Sequence, residues 1–131
     1  MFTKLYLLAV PVFLAIDFVW LSTMSKFFYQ KKIGFLLSKN PNYIAAFIFY
    51  LLFAAGIVFF VVMPAIEKKS LLYALGAGAL FGLISYATYD LTNLATVKDW
   101  PLDLTIIDLI WGSFVSATTS VAVYFISSKI F

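Results

Sequence analysis

Long uncharged runs, separated by short charged clusters, organise this chain. Four stretches stand out: residues 5–25 with the single charge Asp17, 40–66 with none, 70–97 with Asp90, and 104–128 with Asp108. Their lengths are 21, 27, 28 and 25 residues. An α-helix needs roughly 20 residues to cross about 30 Å of hydrocarbon. The pattern therefore predicts four transmembrane helices, over approximately 5–25, 41–65, 70–97 and 101–128. The apolar runs are continuous rather than alternating, which argues against a transmembrane β-barrel. The connections, 26–39, 67–69 and 98–103, are too short to build a soluble domain. The expectation is an all-α polytopic membrane protein: one domain over residues 1–131, folded as a four-helix bundle with short loops.

Local signals fit this count. Asn40 and Pro41 read as an N-cap and first-turn pair opening the second helix, and Pro64 before Glu67, Lys68 and Lys69 reads as its stop. Pro101 opens the fourth helix, whereas Pro11 falls inside the first and should kink it. The stretch 26–39 mixes lysines with Phe27, Phe28, Phe35, Leu36 and Leu37, so an amphipathic segment lying along the interface is expected there. A secretory signal peptide fits the first run poorly. Asp17 interrupts it, and no A-x-A cleavage pattern follows.

Composition agrees with the pattern: 64% of the 131 residues are hydrophobic and 11% are charged, where a soluble domain carries about 25% charged residues. Neither cysteine nor histidine occurs. Disulfides, thiolate metal sites, a Cys nucleophile and the commonest general base are thereby excluded. A net charge of +3 suits contact with the anionic headgroups of a lipid bilayer and gives no reason to invoke nucleic acid. Four spans place the N-terminus, the second loop and the C-terminus on one side, here the near side, and the other two loops on the far side. Lys4, Lys68, Lys69 and Lys129 are near; Lys26, Lys31, Lys32, Lys39 and Lys98 are far. A difference of one orients the chain only weakly, with the cluster of the first loop favouring a cytoplasmic far side.

The three membrane aspartates share a depth. Asp17 lies nine residues before Lys26, Asp90 eight before Lys98 and Asp108 nine after Asp99, all of them far-side markers. At about 1.5 Å per residue, each is roughly 12 to 14 Å below the far-side polar groups. An aspartate at membrane depth costs at least ~2.5 kcal/mol, so three at one level point to a shared, protein-lined cavity. The alternative is three separate acids, each protonated or capping a neighbouring helix. Tyr86, Tyr89, Asp90 and Asn93 recur at helical spacing on a face that continues through Ser85 to Gly82 and Gly78. Those two glycines form a GxxxG step, read as close helix packing. In the fourth helix, Asp108, Gly112, Ser116 and Thr119 share a face, and Tyr50 of the second helix reaches the acidic layer.

Residues 16–22 (IDFVWLS) and 107–113 (IDLIWGS) both read I-D-x-x-W-x-S, with Asp and Trp one turn apart. Both aspartates lie in the far half, so a two-fold axis at the membrane midplane would not superpose the two copies, as an inverted repeat would require. Trp20 suits an interfacial belt. Trp111 lies deeper and is read as a wall of the acidic cavity, able to donate to a carboxylate or offer its face to a cation. No lysine lies within the spans to neutralise the acids, and the chain has no arginine at all. The acids must therefore hold or share protons or bind a cation.

YATYDLTNLATVKDWPL at residues 86–102, with DLIWG at 108–112, DFVWL at 17–21 and FYLLFAAG at 49–56, resembles the signature of a bacterial family of predicted four-helix membrane proteins classed as a domain of unknown function. The resemblance covers nearly the whole chain. It implies a multi-pass protein of the bacterial cytoplasmic membrane and brings no substrate or catalytic residue with it.

Two classes of function follow. One is a transport or ligand-binding protein whose site comprises Asp17, Trp20, Tyr50, Tyr86, Tyr89, Asp90, Asn93, Asp108 and Trp111, taking a proton, a cation or a small cationic or lipid-like ligand. Because four helices enclose little volume, transport would call for a homo-oligomer. The other is an intramembrane enzyme on a lipid or isoprenoid substrate, with one aspartate as base and others holding a hard ion such as Mg²⁺ or Ca²⁺. The absence of DDxxD-like clusters and of a nucleophilic serine motif weighs against the enzyme. An accessory membrane subunit is the third and plainest reading.

Overall fold

Four long helices carry the chain in the computed structural model, which describes residues 1–131. They are α1 (Phe2–Leu36), α2 (Tyr43–Lys68), α3 (Leu71–Thr96) and α4 (Leu102–Ile130), each long and apolar enough to cross a membrane. No strand occurs. Side chains such as Phe18, Phe47, Leu72, Ile84 and Phe114 face outward, as a lipid-facing surface requires.

The largest departure from expectation is in α1. Residues 26–36 do not leave the helix as a separate interfacial segment; they continue it through a π turn at Ser25–Tyr29, an α turn at Gln30–Ile33 and a 3-10 turn at Gly34–Leu36. No proline or glycine occurs between Met24 and Ile33 to stop the helix, so it runs on until Gly34 loosens it. Ile33 then seats on Trp100 and Leu104 at the start of α4, and Lys32 pairs with Asp103 across 2.6 Å. Both ends of that ion pair are well exposed, so it adds little to the apolar contact.

Helix α2 is capped two residues later than Asn40 and Pro41 implied. Asn42 is the N-cap, its side-chain oxygen accepting the Ala45 N–H at 3.1 Å. Pro64 does not stop the helix either, because a π turn at Val58–Val62 immediately precedes it and loosens the ladder where the proline withholds its N–H. The helix ends at Lys68, with Lys69 in the left-handed region at φ 51°. Ser70 caps α3 by accepting the Tyr73 N–H at 2.9 Å. Pro101 precedes α4, and Pro11 is carried within α1 without a break.

Leu5, Ala9, Phe13 and Asp17, spaced four apart, form the buried stripe of α1. The first three pack with Phe53, Ala54, Ile57, Val58 and Val62 of α2 and with Val115 and Val123 of α4. Between α3 and α4 the contact is closer. A Cβ on Gly78 would lie 2.8 Å from the Ser120 hydroxyl and 3.1 Å from the Ala117 Cα, and one on Gly82 would run into the Gly112 carbonyl. Gly112 itself receives the ring of Tyr86. The GxxxG step thus serves as read, letting two backbones meet where lipid supplies no hydrophobic drive for association. Ser113 ties the seam by donating to the Ala79 carbonyl at 3.0 Å.

Helices α2 and α3 are held together chiefly through the π turn of α2 and the ring of Phe81, which stacks on Phe53 at 5.4 Å and on Phe60 at 6.2 Å. Beyond Phe53, towards the far side, the two diverge. That divergence opens the space described next.

Candidate functional site

A cavity of about 720 Å³ occupies the far half of the bundle, with walls from all four helices. Asp17 and Asp108 reach it from α1 and α4; Trp20, Tyr29, Tyr50, Tyr86, Tyr89, Trp100 and Trp111 supply aromatic walls. No basic side chain lines it. Ala46, Phe49 and Tyr50 of α2 face Ser85, Thr88 and Tyr89 of α3 across the gap between the diverging helices.

Neutral donors hold each carboxylate. Asp17 accepts the Tyr50 hydroxyl at 2.7 Å on one oxygen and the Trp111 indole N–H at 3.2 Å on the other. Asp108 accepts the Tyr29 hydroxyl at 2.6 Å, and Tyr29 in turn accepts the Trp20 indole N–H at 3.0 Å. The indole rings of Trp20 and Trp111 stack, centroids 4.2 Å apart and 6° from parallel. Hydrogen bonds of this kind fix the acids in place without cancelling their charge, as a lysine would.

The two I-D-x-x-W-x-S segments therefore support one another crosswise. Helix α1 runs towards the far side and α4 away from it, so Asp17 comes level with Trp111 and Trp20 with Asp108. Each tryptophan serves the aspartate of the other copy, Trp111 directly and Trp20 through Tyr29. The stacked indoles join the two segments in the far half of the bundle. Trp20, which also suited an interfacial belt, lines this wall with the other candidate site residues.

Asp90 and Asn93 are placed differently. Asp90 is fully buried outside the cavity lining, neither of its carboxyl oxygens having a hydrogen-bond partner, and Asp108 is an acidic neighbour. Two ionised carboxylates cannot bond to one another; one proton on either would join them. Asn93 is half-buried one turn beyond Tyr89 and does not line the cavity. No three acidic side chains are grouped to hold a metal ion together.

Tyr29 and Trp100 are the cavity aromatics with hydrogen-bonding groups that sequence reasoning missed. Tyr29 lies nine residues past Trp20, about two and a half turns at 3.6 residues per turn, and regular helix would put it on the opposite face. The π turn at Ser25–Tyr29 changes that register and brings the hydroxyl to the Trp20 indole. Trp100 is buried at the far end, its indole donating to Thr105 at 3.1 Å and its ring meeting Tyr89 edge-on. Its position in a loop, off any helix face, concealed it.

Comparison with curated proteins finds no match, and comparison with solved structures finds none. The profile of a family described as "Predicted membrane protein (DUF2177)" matches residues 2–125, nearly the whole chain. The protein is therefore a multi-pass membrane protein belonging to that family.

Proposed function

We propose that the far-half cavity binds an organic cation, an amphipathic molecule carrying one positive charge on an apolar body. The observation that carries this reading is that Asp17 and Asp108 border a single aromatic-walled cavity that no lysine lines. A cation placed there would meet two carboxylates and the faces of tryptophan and tyrosine rings, whose quadrupoles also favour positive charge. The volume, about 720 Å³, falls within the range of small-molecule sites, roughly 300 to 1,000 Å³. Trp20, Tyr50, Tyr86, Tyr89 and Trp111 form the walls of this site. Asp90 stands beside Asp108 as a carboxyl able to share its proton, and Asn93 follows Tyr89 by one turn of α3 at the edge of the site.

Access from the bilayer through the divergence of α2 and α3 suits such a ligand. The glycine seam of α3 and α4 closes the near half, so carrying the ligand across the membrane would need a second copy of the chain. We place the protein in the bacterial cytoplasmic membrane, on the strength of the signature at residues 86–102.

Equilibrium dialysis of the detergent-purified protein against tetraphenylphosphonium tests this. Saturable binding is expected, weakened at least about tenfold, or roughly 1.4 kcal/mol, in both Asp17→Asn and Asp108→Asn. An absence of saturable binding, or equal affinity in folded variants, overturns the reading.

A further inference from the structure

A second cavity, about 610 Å³, lies at the opposite end of the bundle, where the start of α1 meets the ends of α2 and α4. Lys4 and Leu5, Ile66 and Lys69, and Tyr124 and Ser127 line it, one pair from each of the three helix ends. Leu5 and Ser127 are buried and form its floor.

The near side carries four lysines, and they divide into two pairs. Lys68 lies over the Tyr73 ring at 5.4 Å and Lys129 over the Phe125 ring at 5.4 Å, neither reaching the cavity. Lys4 and Lys69 both border it. Lys69 is held there by the left-handed turn that ends α2, where its own N–H bonds to the Ile66 carbonyl at 3.1 Å and the Ser70 N–H bonds to the Ala65 carbonyl at 3.0 Å. Lys4 extends over the ring of Phe131 at 5.6 Å. The one ion pair of the chain, Lys32 with Asp103, is at the far end, so neither lysine has an acidic partner.

Two ammonium groups from different helices on one cavity repel one another unless an anion stands between them. A phosphate accepts from both and is the anion best matched to paired lysines at a membrane surface. The floor is apolar as well as hydroxylated, so the anion should bring hydrocarbon with it. A phospholipid does so, placing its phosphate at Lys4 and Lys69, its glycerol near Ser127 and Tyr124, and its acyl chain along Leu5 and Ile66. A zwitterionic headgroup would bring its own cation against the lysines, which selects for anionic lipid.

We propose that this near-end cavity is a binding site for an anionic phospholipid headgroup, separate from the acidic cavity of the far half. The test is native mass spectrometry of the full chain, delipidated and incubated with phosphatidylglycerol, phosphatidylcholine or inorganic phosphate. Phosphatidylglycerol should be retained over phosphatidylcholine by at least about fivefold, given the two lysines at the surface. Lys4→Gln with Lys69→Gln should abolish that preference. Lys4→Arg with Lys69→Arg should keep it, which separates loss of charge from loss of fold. Lys26→Gln with Lys31→Gln, at the far end, should leave it unchanged. Equal retention of the two lipids overturns the proposal, as does an unaltered preference in the glutamine pair, an equal loss in the far-end pair, or displacement of the lipid by inorganic phosphate.

Discussion

Helix α4 meets the rest of the protein in two contrasting ways. From Gly112 to Ser120 it lies against α3 so closely that a single added methyl group would strike backbone. From Leu104 to Trp111 it borders open space, its Asp108 and Trp111 reaching side chains of α1 along a cavity wall instead of meeting another backbone. Side-chain size makes the difference. Glycine and serine close the near half, whereas the large rings of Trp111, Tyr86 and Tyr89 hold the far half apart. A membrane bundle of four helices can thus be rigid and hollow along one helix, with the hollow half placed where the acids are.

Mutations at the two ends should separate these regions. The largest effect is expected from Gly82→Ala, whose Cβ meets the Gly112 carbonyl and cannot be relieved by a side-chain rotation. Overpacking of this kind costs about 1–3 kcal/mol, and the upper part of that range should appear in denaturant unfolding. Gly76→Ala on the same helix has nothing within 4 Å and should instead gain stability through helix propensity. Similar losses at both glycines would show that the seam is looser than described.

Next in size is Tyr29→Phe, which removes the bridge between the Trp20 indole and Asp108. The loss should be about 1–2 kcal/mol in unfolding free energy, since two half-buried groups lose a partner. An unchanged melting temperature would mean that the extension of α1 is held by Ile33 and Trp100 alone. Asp90→Asn should hold stability within about 1 kcal/mol, because its amide can donate to the Asp108 carboxylate as a protonated Asp90 would. A larger fall in stability would show that the Asp90 carboxyl has a role the amide cannot fill. Smallest is Ser113→Ala, which removes the seam's interhelical hydrogen bond to Ala79. A loss of about 0.6 kcal/mol is the average for such bonds in membranes, and a loss several times larger would make hydrogen bonding, not glycine contact, the main tie of the seam.

Much of this was readable from the chain because charge is so costly in hydrocarbon. The uncharged runs fixed four helices, and the spacing of Gly78 and Gly82 predicted the seam. A shared depth for Asp17 and Asp108 pointed to their common cavity. Asp90 has that depth too, but depth does not specify direction around a helix, and its side chain lies beside Asp108, outside the cavity lining. Tyr29 was hidden for a related reason: a π turn alters helical register without any residue that announces it. The cap at Asn42 was misplaced because Asn40 and Pro41 offer the same chemistry two residues earlier, and packing decided between them. The crosswise support of the paired I-D-x-x-W-x-S segments required knowing that α1 and α4 are neighbours.

All three tryptophans of the protein, Trp20, Trp100 and Trp111, border the far-half cavity, and two of them are stacked. The protein's ultraviolet emission therefore originates from the walls of one compartment. A molecule entering that space would change the colour or brightness of the fluorescence directly, and the coupled indole pair would add its own circular-dichroism signature. Occupancy could be followed without attaching any label to the chain.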